Sequence, residues 1–289
     1  MTGLEKIREQ LAETPIVLPT ETPDPAAGQV WRATWDDAAA NVYIEAAPTP
    51  GWVRVLPVTA EPEFVRSVKF FLDRDESPMG YVAAVCRQPQ MDVPTFVLEA
   101  CYGSLPSMEE EPDDQPTELT GEARSADPKY QHEALLARQL ETLASASWTP
   151  RDQRAVGPIR TLVEQTGSSL RHLREAVGLT ADEISRILDH AWWLSTDQLR
   201  RLADHLQVSV LDLPEGDPFT DEPELLRVTE APRLRSRLRE YATRHGLSEA
   251  GGRFQVASRL LAGARARSFT RAEDRTAYWE ELLDDYLSG

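Results

Sequence analysis

The sequence predicts an α+β chain of more than one domain, with a small β-barrel or sandwich first and an all-α region after it. Three observations lead there. Six short runs rich in Val, Trp, Tyr and Ile, at 29–35, 41–46, 52–58, 65–72, 81–86 and 93–98, are separated by Pro and Gly, the pattern of strands and turns. Between 105 and 128 the apolar pattern is lost. From Gln131 onward apolar residues recur at spacings of three and four, the helical period. A length of 289 residues also exceeds one average domain of roughly 150.

Taken in order, 1–27 reads as an N-terminal helix and lead-in. Leu4, Ile7 and Leu11 share one face over 1–13, as in a lid or contact helix, before Pro15 and Pro25 break the pattern. The strand-rich stretch is 28–105. In 106–128, eight acids (Glu109, Glu110, Glu111, Asp113, Asp114, Glu118, Glu122, Asp127) face the single basic residue Arg124, which predicts a disordered acidic linker. A helical domain follows over 129–216, opening with a helix near 131–146 whose stripe is Leu135, Leu136, Leu140 and Leu143. The remainder, 217–289, is a basic helical region, closed by a helix over 270–287 with Tyr278, Leu282 and Tyr286 aligned.

Composition restricts function. A net charge of −17 argues against a surface that binds nucleic acid everywhere, because phosphate neutralisation needs clustered Lys and Arg. Two cysteines, Cys86 and Cys101, lack metal-ligand spacing and are too few for a disulfide framework, so buried reduced thiols are expected. The five histidines, His132, His172, His190, His205 and His245, are never three or four residues apart, and no metal site is expected. Glycine-rich phosphate loops, His-Glu-x-x-His, Cys-x-x-Cys and Gly-x-Ser-x-Gly are absent from the sequence, and no cofactor is expected. No run has the length of a signal peptide core or a membrane span, which makes cytoplasmic localisation the expectation.

One stretch carries a recognisable grammar. Ser169 can cap a helix over 170–177, Gly178 permits a turn with positive φ, and Thr180 can cap a second helix. Leu170, Leu173, Val177, Ile184 and Ile187 would bury between these helices and a third, Thr196–Leu206, striped by Leu199, Leu202 and Leu206. With Ile184-Ser185-Arg186-Ile187 after the glycine turn, and Leu199-Arg200-Arg201-Leu202-Ala203 running on to Val208, residues 157–213 resemble the Xre/Cro-like helix-turn-helix family.

That resemblance implies a helix from Ala181 lying in the major groove of operator DNA, with Ser169, Arg171, Thr180, Ala181, Glu183, Ser185 and Arg186 as the DNA-binding residues. It also implies a homodimer reading two half-sites. The segment holds six arginines against eight acids, a net of −2, so packing against a protein partner is the alternative use. Trp192 and Trp193, where the family has a wing, could stack on bases or wedge into the helical core. From Glu224 to Arg267 ten arginines face four glutamates, and Arg233, Arg235, Arg237 and Arg239 are candidates for positioning phosphate, or for a solvated face that answers the acidic linker.

The earlier half carries a weaker resemblance. Gly28-Gln29-Val30-Trp31-Arg32, Val53–Thr59, Ser77–Tyr81 and Val97–Leu105 look like the strand order of the MazF/PemK family of SH3-like barrels, known as RNA-cutting toxins. Thr59 matches that family's threonine, but the strand at 41–45 has no arginine and Gln29 replaces an acid. A barrel kept for protein contact or folding is therefore expected, with an RNA endonuclease using Thr59 and Arg32 or Arg54 as the alternative. Together the two resemblances suit the regulatory or antitoxin component of a toxin–antitoxin or phage-defence module, partnered by a toxin or defence component, or else a non-catalytic adaptor.

Overall fold

A computed structural model describes residues 22–105, 126–263 and 272–288. The expected 1–13 helix and most of the acidic linker lie outside the described residues. Two compact units result: the described residues up to Ala146 together with Glu230–Ser236, and Ser147–Thr229 together with those from Arg237.

In the first unit β1 (Gln29–Trp35) and β2 (Ala38–Ile44) form a hairpin across a two-residue turn, where Asp36 takes φ 49°. Asp tolerates that left-handed conformation because its short polar side chain bonds locally. β2 begins at Ala38, three residues earlier than the sequence suggests, since its alanines have little strand preference and are held by pairing with β1. Further strands are β3 (Trp52–Thr59), β4 (Val68–Leu72), β5 (Ala83–Cys86), β6 (Met91–Pro94) and β7 (Leu98–Ser104). The run at 93–98 is thus split, β6 and β7 being separated by the 3₁₀ turn Thr95–Val97.

All pairs are antiparallel, in the order β4-β5-β3-β2-β1-β7, with β6 also on β3. β3 gives its second edge to two strands, β6 along Trp52–Val55 and β5 at Val58 and Thr59, so the sheet curls around it. Pro57 falls between them. Because Arg54 O accepts from Glu45 N on the β2 side, alternation turns Pro57 to the opposite edge, where its missing N–H leaves no gap in a ladder. Val30, Leu56, Val58, Phe70, Leu72, Met79, Ala83 and Val85 form the buried face.

Helix α1 (Pro128–Ala144) is capped by Asp127, which accepts from Lys129 N at 2.8 Å. It buries Leu136, Leu140 and Leu143, while Leu135, expected on the same stripe, is 53% exposed. This helix belongs with the sheet and not with the helical domain assigned to 129–216. Leu136 packs with Val65 and Cys86, and the Arg66 guanidinium pairs with Glu133 at 2.7 Å and lies over the Tyr130 ring.

The second unit corrects the all-α expectation. β8 (Gln153–Val156) pairs antiparallel with β9 (Trp192–Ser195). Around this ribbon lie α2 (Arg160–Thr166), α3 (Leu170–Val177), α4 (Ala181–Asp189), α5 (Thr196–Leu206), α6 (Pro223–Glu230), α7 (Arg235–Arg244, from Arg237 onward in this unit), α8 (Glu249–Gly263) and α9 (Ala272–Ser288). Trp192 and Trp193 are buried, and Trp193 meets Phe219 and Phe254 edge-on at 5.3 and 5.2 Å. They wedge the core. α9 buries Trp279, Leu283 and Leu287 and leaves the expected Tyr278, Leu282 and Tyr286 half-buried, one residue or about 100° out of phase. Among the described residues no helix is long and apolar enough to cross a membrane, and no group of His, Cys, Asp and Glu could hold a metal ion.

Candidate nucleic-acid interface

The α3–turn–α4 segment forms through local chemistry. Ser169 caps α3 by accepting from His172 N. Gly178, at φ 77°, ends α3 by donating from its N–H to Arg174 O, which also accepts from Leu179 N. Thr180 and Glu183 then make a reciprocal capping box: Thr180 Oγ1 accepts from Glu183 N, while the Glu183 carboxylate accepts from Thr180 N at 2.8 Å. Leu173 and Val177 on α3, and Ile184, Ile187 and Leu188 on α4, turn inward. Ser168 meets His205 Nε2 at 3.1 Å, which ties the start of α3 to α5.

This construction divides the seven expected DNA-binding residues. Ser169, Thr180 and Glu183 hold the backbone. Arg171, on the outside of α3, pairs with Glu175 at 3.0 Å. Arg186 is half-buried, its guanidinium 5.4 Å from the centre of the Trp192 ring, and burial pulls its pKa below the ordinary arginine value against the pull of Asp182 and Glu222. Only Ala181 and Ser185 stand exposed without such a duty, sharing the outer face of α4 with Asp182.

The four arginines expected to position phosphate are each engaged inside the protein. In the first unit Arg233 pairs with Asp24 at 2.9 Å, and Arg235, 1% exposed, donates to the Val97 and Thr34 carbonyls beside the Trp35 ring. In the second, Arg237 pairs with Asp284 and Arg239 with Glu249. Arg265 and Arg267 lie outside the described residues.

Sequence reasoning passed over Arg174 and Arg201. Both are exposed, and Arg201 Nη1 lies 3.8 Å from where a Cβ on Gly178 would stand. Arg201 lies two residues from the buried Leu199 and Ala203, so the helical period puts it on the outer face of α5, but a helical face alone does not say that it ends beside a turn.

The threonine and arginines of the nuclease alternative are not brought together. Thr59 is 6% exposed; its Oγ1 accepts from Glu61 N at 3.1 Å and lies 3.0 Å from His132 Nε2, so it fastens α1 to the sheet. Arg54, five residues away on β3, faces the other side and forms a two-pronged pair with Asp92. Arg32 pairs with Glu99 at 3.1 Å. No known family model matches the chain, and no curated protein matches it.

Proposed function

We propose that this protein is a helix-turn-helix DNA-binding regulator, with α4 as its reading helix and an SH3-like barrel at 28–105 that serves protein contact or folding without catalysis. The observation that carries the reading is the α3–Gly178–α4 geometry. A glycine-closed helix and a box-capped helix share one apolar seam, and the second offers the small side chains of Ala181 and Ser185 outward. A recognition helix needs such a face to approach base edges. An operator and a toxin or defence component as protein partner belong to the same proposal.

The test is binding of the full chain to labelled DNA from upstream of its own coding sequence across a salt series, beside Ala181→Asp/Ser185→Asp. Both positions are exposed, so the fold tolerates the change while the new carboxylates repel the groove. Salt-sensitive binding that disappears in the double variant is expected. Retained binding in that variant would remove α4 as the reading helix, and no binding at low salt would remove DNA. A specific observation favours a second reading, a protein adaptor: the outer face of α4 begins with Asp182, and the nearby cations Arg160 and Arg171 are paired with Asp189 and Glu175.

A further inference from the structure

Phosphate contacts need arginines whose guanidinium groups are not already bound. In the second unit most are bound: Arg154 to Glu215 and to the Val210 and Leu213 carbonyls, Arg160 to Asp189, Arg171 to Glu175, Arg237 to Asp284, Arg239 and Arg253 to Glu249, Arg244 to the Leu287 carbonyl, and Arg259 to Tyr286. Arg200 stands 3.7 Å from Asp197. Arg151, Arg174, Arg201 and Arg227 are exposed and, among the described residues, make no ion pair or side-chain hydrogen bond. Two of these four stand on the helices that adjoin the Gly178 turn. Arg174 lies four residues before Gly178 on the outer face of α3, and Arg201 Nη1, from α5, lies beside that same glycine.

We infer that Arg174 and Arg201 are the phosphate-positioning pair of this protein and that the nucleic-acid backbone runs along the α3/α5 flank of the Gly178 turn; this rests on the DNA-binding reading above. Sign decides the side. The exposed start of α4 carries Asp182, and the Glu183 carboxylate is held there by the capping box, so phosphate is repelled from that side and drawn to the flank where two unpaired cations stand. An unbound arginine also needs no existing ion pair broken before it meets phosphate, unlike Arg171 or Arg237.

The experiment is the salt dependence of binding to the same upstream DNA, for the full chain, Arg174→Gln/Arg201→Gln, and Arg237→Gln as a control for the loss of an internally paired cation. Each phosphate contact on duplex DNA contributes about 0.9 to the slope of log K against log salt. The double variant is expected to flatten the slope by about 1.8 and to lose affinity equally for specific and unrelated duplexes. Arg237→Gln is expected to leave the slope unchanged. A wild-type slope in the double variant would overturn this assignment and leave the DNA reading standing; no binding by the wild-type chain at any salt would overturn both. Thermal melting of each variant reports folding separately from binding.

Discussion

Gly252 on α8 meets Ala242 on α7 so closely that a Cβ at Gly252 would stand 2.6 Å from Ala242 Cβ and 3.2 Å from its Cα. Ordinary carbon contacts lie near 3.5–4.0 Å, so Gly252→Ala forces the helices apart by about 1 Å. Overpacking of this kind costs roughly 1–3 kcal/mol, against which the better helix propensity of alanine returns about 0.8–1 kcal/mol. A net loss of about 0–2 kcal/mol is expected. Gly263 ends the same helix with nothing within 4 Å of its would-be Cβ, so Gly263→Ala keeps the propensity term alone and is expected to be neutral or stabilising by up to about 1 kcal/mol. The two substitutions differ in what the added methyl meets. Calorimetric melting reads the difference at roughly 2–4 °C per kcal/mol for a unit of this size. Tryptophan fluorescence assigns the transition, since Trp148, Trp192, Trp193 and Trp279 belong to the second unit. A Gly252→Ala protein stabilised as much as Gly263→Ala, or more, would refute the close α7–α8 approach.

Three further outcomes are expected. Arg235→Met leaves the Val97 and Thr34 carbonyls without their donor at about 1–3 kcal/mol each, so urea unfolding followed at the first unit should shift to clearly lower denaturant, and an unchanged midpoint would contradict the burial of this guanidinium. The Tyr241 hydroxyl is pushed up to about 12 by burial and by its contact with Tyr286. A raised folded value means that its contribution is complete below the ordinary tyrosine range near 10 and is lost as pH rises through the folded value, so alkaline unfolding should fall between about 10 and 12 and move in Tyr241→Phe. Burial likewise pushes the Cys86 thiol to about 12, so native protein at pH 8 should resist a thiol-alkylating reagent at that residue and react fully in denaturant; rapid native labelling of Cys86, located by mass spectrometry, would count against it.

What was legible in the sequence was what a few adjacent residues decide. Ser169, Gly178 and Thr180 mark the ends of α3 and α4 because capping is a contact between neighbours, and Thr196–Leu206 was readable to the residue from its stripe of Leu199, Leu202 and Leu206. β8 was not legible: Gln153–Val156 has no periodicity of its own and exists by pairing with Trp192–Ser195, some forty residues on. On α9 two apolar stripes lie one residue apart, and the one holding Trp279 buried itself because its indole reaches Glu222 at 3.2 Å while the rest of the ring leaves water.

The arginines make the same point with a consequence for function. Counting charge from Glu224 to Arg267 finds a basic region, yet the partners that engage it, Asp24 for Arg233, the Val97 and Thr34 carbonyls for Arg235 and Asp284 for Arg237, stand 47 to 209 residues away. The local excess of cations therefore answers distant acids and carbonyls in the folded chain. Around the helix-turn-helix candidate the segment counts as slightly acidic, but Glu183 is taken up by a cap and Asp189 and Glu175 by Arg160 and Arg171, Asp182 stays exposed, and among the described residues Arg174 and Arg201 make no ion pair. Availability of a charge is a tertiary property that a count of charges along a segment does not report.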